Sequence, residues 1–131
     1  PEPWFDPNAD ILEIADTELP PRARRMVGMI VRASAPELAD NPVEHREDVR
    51  VFDRALGAGW REDQELLREV MSLGIIRRYT VGGGARRRRT VLLKRLDHPV
   101  KGLGEVVWRF GPGVAPALAA NPELQVRLSA V

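Results

Sequence analysis

GIIRRYTVGGGARRRRTVLLKRL, residues 74–96, is the stretch that decides how this chain folds. Up to Leu73 the apolar residues recur at helical spacing. After Gly74 the period falls to two, and Ile75 to Val81 reads as a strand. Gly82-Gly83-Gly84-Ala85 reads as a flexible turn, and Arg88 to Leu96 as the returning strand of a hairpin. Arg77, Arg78, Arg86, Arg87, Arg88, Arg89, Lys94 and Arg95 concentrate positive charge on it. Three glycines also suggest a phosphate cradle. However, no Gly-Lys-Ser/Thr follows and the order is strand-turn-strand, so the glycines read as a flexible hairpin tip.

Working outward, the hairpin is preceded by a predicted helix from about Arg61 to Leu73, with Leu66, Leu67, Val70 and Met71 on its inner face. Before it, Asn41 as N-cap, Pro42 at the first helical position and Glu44 in the first turn predict another helix. His45, Val49, Phe52 and Leu56 form its single stripe, and Gly57-Ala58-Gly59 stops it. A first helix is expected from Pro21 to about Ala33, with Ala23, Met26, Val27, Ile30 and Ser34 on one face and Pro36 ending or interrupting it. Residues 1–19 read as an arm. Its prolines and Asn8-Ala9-Asp10 resist regular structure, leaving Ile11 to Ile14 as a short docked segment. Beyond the hairpin, Glu105 to Phe110 alternates as a third strand. Short helices follow Gly111-Pro112-Gly113, the last capped by Asn121-Pro122.

Helix, helix, Gly-containing turn, helix and hairpin is the order of a winged helix-turn-helix. Ala55-Leu56-Gly57-Ala58-Gly59, then Leu66-Leu67 with Val70, then Gly74-Ile75-Ile76-Arg77, resemble that family over about residues 20–96. The segment looks like its common bacterial form, in which a Leu-Gly turn precedes the recognition helix. The resemblance implies an α+β fold with a three-helix body and a basic β-hairpin wing at residues 75–96. An acidic, aromatic-containing arm (1–19) would precede this core. A C-terminal strand and short helices (97–131) would pack on it or form a homodimer contact. It also implies a non-enzymatic DNA-binding protein of the cytoplasm or nucleoid, either a transcriptional regulator or a chromosome-, plasmid- or phage-associated factor.

The chain departs from the family where the recognition helix would meet DNA. Asp63 stands where an apolar residue is usual, and Gly59 where a Ser or Thr cap is common. Glu62, Asp63, Glu65 and Glu69 outnumber Arg61 and Arg68, and acids beside phosphates weaken binding. The wing is therefore the expected principal contact, with Arg61, Gln64 and Arg68 secondary. An alternative is a protein-interaction module on the same scaffold. There Glu62, Glu65, Glu69, Trp4 and Phe5 would contact a protein partner, and the wing arginines would pair with a partner's acids or mask themselves against the chain's own acidic arm.

Composition sets the bounds. A chain of 131 residues fits one domain, and 44% apolar with 30% charged residues fits a folded one. The net charge of +1 conceals segregation: residues 1–19 carry six acids and no base, and residues 70–101 nine bases and one acid. No apolar run approaches the roughly 20 residues of a membrane span. The opening Pro1-Glu2-Pro3-Trp4, without a Met, reads as a piece of something longer. With no cysteine there is no disulfide or thiolate metal site, which fits a reducing compartment. His45 and His98 lack clustered acidic partners, and Ser34, Ser72 and Ser129 lack a nucleophile elbow. Tyr79 reads as packing, with base stacking as its functional alternative. No cofactor, metal or catalytic residue is expected, and RNA stands beside DNA as a ligand.

Overall fold

The computed structural model describes residues 6–17, 19–52, 63–95 and 107–129. Most of the stretch read as an irregular arm is a helix, α1 (Pro7–Asp16). Asp6 caps it by accepting from the Ala9 amide at 3.1 Å, and Pro7 sits in the first turn, where no N–H is needed. Pro7 thus belongs to a helix start, and Asn8-Ala9-Asp10 lies within the helix. Ile11, Ile14 and Ala15 are buried on one face.

α2 (Pro21–Asp40) continues past Pro36, the residue expected to end or interrupt it. A proline inside a helix costs roughly 3 kcal/mol. The buried face of Met26, Val27, Ile30, Val31 and Ser34 continues to Leu38 beyond it, and that burial outweighs the lost hydrogen bond. Asn41 consequently closes α2 instead of opening a new helix. Its backbone N–H donates to the Glu37 carbonyl at 3.0 Å and its side-chain amide to the same oxygen at 2.9 Å.

The predicted second helix does not form over its described part. Residues Val43–Asp48 are a 3-10 helix with His45 exposed, and β1 (Arg50–Phe52) follows. Val49 and Val51 are buried and Arg50 is exposed, a period of two within the supposed helical stripe. β-branched residues offered a partner strand settle into a sheet. Leu56 and the Gly57-Ala58-Gly59 turn lie outside the described residues.

α3 (Gln64–Met71) begins on Asp63, whose carboxylate accepts from the Leu66 amide at 3.0 Å. An acid suits this position because it is an N-cap. Asp63 also pairs with Arg22 of α2. Leu66, Leu67 and Val70 are buried, while Met71 lies at the edge, 36% exposed. Asp63→Ala is expected to lower stability by about 1 kcal/mol, read from the urea midpoint, with Asp63→Asn restoring most of it. The Arg22 pair adds little, since the arginine is largely solvated.

The hairpin is formed by β2 (Gly74–Val81) and β3 (Gly84–Val91), fully paired from Gly74↔Val91 to Val81↔Gly84. Its turn is tighter than expected. Only Gly82 and Gly83 lie outside the strands, at φ +56° and +79°, the pair of positive values that a two-residue hairpin turn needs. After a one-residue break at Leu92 comes β4 (Leu93–Arg95). β5 (Val107–Phe110) pairs with both β4 and β1, giving an antiparallel sheet in the order β1-β5-β4. Val51, Leu93, Trp108 and Phe110 form its buried face. Gly111 passes so close to the Val91 carbonyl that a Cβ would overlap it.

α4 (Val114–Ala120) and α5 (Pro122–Ser129) complete the chain and pack against α1 and α2, with Val114, Leu118, Leu124 and Leu128 buried. Asn121 makes the expected cap, its side chain accepting from the Glu123 amide at 3.2 Å. The protein is thus mixed α+β: helices on one core with two small antiparallel sheets. No helix among the described residues is long and apolar enough to cross a membrane.

Candidate functional site: the two faces of the basic hairpin

The hairpin register divides the arginine run by parity. Cross-strand partners share a face, and successive residues alternate faces. Arg77 stands opposite Arg88, with Ile75↔Thr90 and Tyr79↔Arg86 on the same side. Arg78 stands opposite Arg87 on the other side, with Ile76↔Arg89 and Thr80↔Ala85. Two arginine pairs therefore lie directly across the ladder, back to back. Like charges so placed destabilise a sheet unless something neutralises them.

The first pair is neutralised from within the chain. Asp10 of α1 is buried, its side chain only 3% exposed. Arg77 Nε donates to one of its oxygens at 2.9 Å. Arg88 Nη2 and Thr90 Oγ1 donate to the other at 3.2 and 2.5 Å. Glu13, one turn on, also pairs with Arg77. The hydrogen bonds to Asp10, and next those to Glu13, raise the Arg77 pKa above its ordinary value. A cation with a raised pKa contributes its full stabilisation below the ordinary value and loses it only above. Arginine's ordinary value is already strongly alkaline, so Arg77 does not lose its charge as the pH rises through the neutral and mildly alkaline range.

The second pair has no such neutralisation. Arg78, Arg87 and Arg89 are exposed, and no carboxylate among the described residues pairs with them. Ile76 lies among them, 52% exposed. A groove of about 600 Å³ runs along this face between Ser72, Gly74, Ile76, Arg87 and Arg89. Toward the tip a second, of about 550 Å³, takes in residues of both faces: Arg78, Thr80, Ala85 and Arg87 from this one, Tyr79 and Arg86 from the other. The tip itself is slim, because Gly82 and Gly83 carry no side chains, and open space surrounds it.

No protein-family model, curated protein or solved structure matches this chain.

The remaining predicted site residues distribute as follows. Arg86 is exposed near the tip, beside half-buried Tyr79. Lys94 is exposed on β4, and Arg95 is half-buried opposite Trp108. On α3, Gln64, Glu65 and Arg68 are exposed and Glu69 is half-buried. Arg61, Glu62, Trp4 and Phe5 lie outside the described residues. Among the described residues no three His, Asp or Glu side chains gather as a metal site. Asp10 was missed as a site residue, although a signal was present. Once Asp6-Pro7 is read as a helix start, Asp10 falls one turn before Ile14, on the buried face.

Proposed function

We propose that the chain is a non-enzymatic DNA-binding module of the winged-helix type whose wing is the β2–β3 hairpin, gripping phosphates through Arg78, Arg87 and Arg89. The observation that carries this reading is the asymmetry of the two arginine pairs. The chain's own Asp10 neutralises the inner pair, while the outer pair stays exposed beside a groove, without an internal carboxylate. Guanidinium forks match phosphate oxygens bidentately, so the outer face suits a polyanion. α2, α3 and the β2–β3 hairpin follow one another in the order of that family, with a 3-10 helix and β1 standing where its second helix would begin. The slim glycine tip suits insertion into a narrow groove.

The acids of α3 are compatible with this use. Asp63 caps the helix, and Glu65 in the first turn complements its dipole. The helix is then a support for the wing and does not read bases. Binding through phosphates alone is insensitive to sequence. Three phosphate contacts give a log–log salt slope of about 0.9 each, close to 3 in total. The test is a titration of the wild-type protein with fluorescent duplexes of unrelated sequence at several salt concentrations. The expected result is a slope near 3 or steeper and affinities within a few-fold across sequences. Absence of binding at low salt would sink the proposal and direct attention to an acidic protein partner.

A further inference from the structure

A second row of cations crosses the three-stranded sheet. Arg50 of β1 stands opposite Arg109 of β5, and Arg109 stands opposite Lys94 of β4. Val51, Trp108, Leu93 and Phe110, the positions flanking them along the strands, are buried, so the three cations share the outward face. Arg50 and Lys94 are exposed, with Arg109 half-buried between them. Neighbouring strands lie about 4.8 Å apart, which puts three positive charges in a line roughly 10 Å long. No carboxylate among the described residues pairs with any of them. Such a row opposes folding, because like charges directly across a ladder repel.

The chain also shifts its strand phase in a way that keeps Lys94 outside. Thr90 is buried, and strict alternation would turn residues 92 and 94 inward with it. Leu92 breaks the strand, and Leu92 and Leu93 are both buried. The alternation slips by one residue, and Lys94 emerges exposed after Arg87 and Arg89. A single-residue slip of this kind re-aims every side chain beyond it.

We infer that the Lys94–Arg109–Arg50 row is a second phosphate-binding surface, which takes the backbone of the same duplex that the hairpin holds. This rests on the DNA-binding reading of the hairpin and extends its footprint across the sheet. Arg89 and Lys94 are five positions apart along the chain, a span of at most about 17 Å across the break at Leu92, or about five base-pair rises of a duplex strand. A duplex of one helical turn or more can reach both surfaces.

The experiment compares wild type, a sheet variant (Arg50→Gln, Lys94→Gln, Arg109→Gln) and a hairpin variant (Arg78→Gln, Arg87→Gln, Arg89→Gln). Each is titrated with one fluorescent mixed-sequence duplex across a salt series. A control (Arg22→Gln, Arg25→Gln, Arg46→Gln) removes the same charge from α2 and the 3-10 helix. The sheet variant is expected to bind roughly tenfold more weakly, with a slope shallower by up to about 0.9 per lost contact, while its urea midpoint is unchanged or higher. A sheet variant identical to wild type, or one matched by the control, overturns the second surface. So does weaker binding at an unchanged slope. If only the hairpin variant loses affinity, the sheet row fails and the hairpin reading stands. If wild type itself does not bind, the reading beneath both fails.

Discussion

Asp10→Ala is expected to destabilise the protein by about 3 kcal/mol, lowering the thermal midpoint by roughly 10 °C. Removing one partner of a buried ion pair typically costs about 3–5 kcal/mol, because the charge left behind has lost its compensation. The low end applies here. The Arg77 side chain is 41% exposed and can rehydrate, whereas Arg88, at 21%, has less access to water. Thr90 also loses its acceptor. Replacing the whole group (Asp10→Leu with Arg77→Met and Arg88→Met) is expected to recover most of the loss, since an apolar substitute of similar volume leaves no buried charge. Urea denaturation of the three proteins checks this. A single variant within about 0.5 kcal/mol of wild type would mean that α1 does not neutralise the hairpin's inner face.

The largest effect on binding is expected from Arg78→Gln/Arg87→Gln/Arg89→Gln. Loss of three phosphate contacts should flatten the salt slope by close to 3 and weaken duplex binding roughly 100-fold or more at low salt. Stability should hold or rise slightly, because the variant removes the Arg78–Arg87 repulsion across the ladder. Arg77→Gln provides the opposite pattern. It weakens the attachment to Asp10 and Glu13 and lowers the urea midpoint, but leaves the salt slope of binding unchanged. Anisotropy titrations paired with unfolding curves separate the two. Equal binding losses in both variants would show that the two faces of the hairpin do not divide the work as described.

The sequence made the hairpin legible because its signals are local: period-two alternation, three glycines and a run of cations. It also marked α3 and the late capping of α5. The second helix failed because Asn41-Pro42 carries the same letters at either end of a helix. Asn41 reaches back to Glu37, and Pro42 takes an extended conformation, φ −55° and ψ 149°. Val51 joins a strand only through Trp108, more than fifty residues away, and a local pattern does not contain that pairing. The same distance hid the row through Arg50 and Arg109. Self-masking of the arginines by the acidic N-terminal segment was one expectation from the charge segregation, and it is realised for one face of the hairpin only. Parity along the strand decides which arginines meet Asp10, and the choice of face depends on where α1 docks.

The arginine side-chain Nε–Hε resonances, followed by NMR as duplex is added, test most directly whether the outer face of the hairpin holds phosphate. The account predicts that the signals of Arg78, Arg87 and Arg89 shift and saturate together, while Arg77 keeps its resonance because it stays on Asp10. Shifts confined to Arg68 and the α3 amides, with the three outer arginines unmoved, would contradict it.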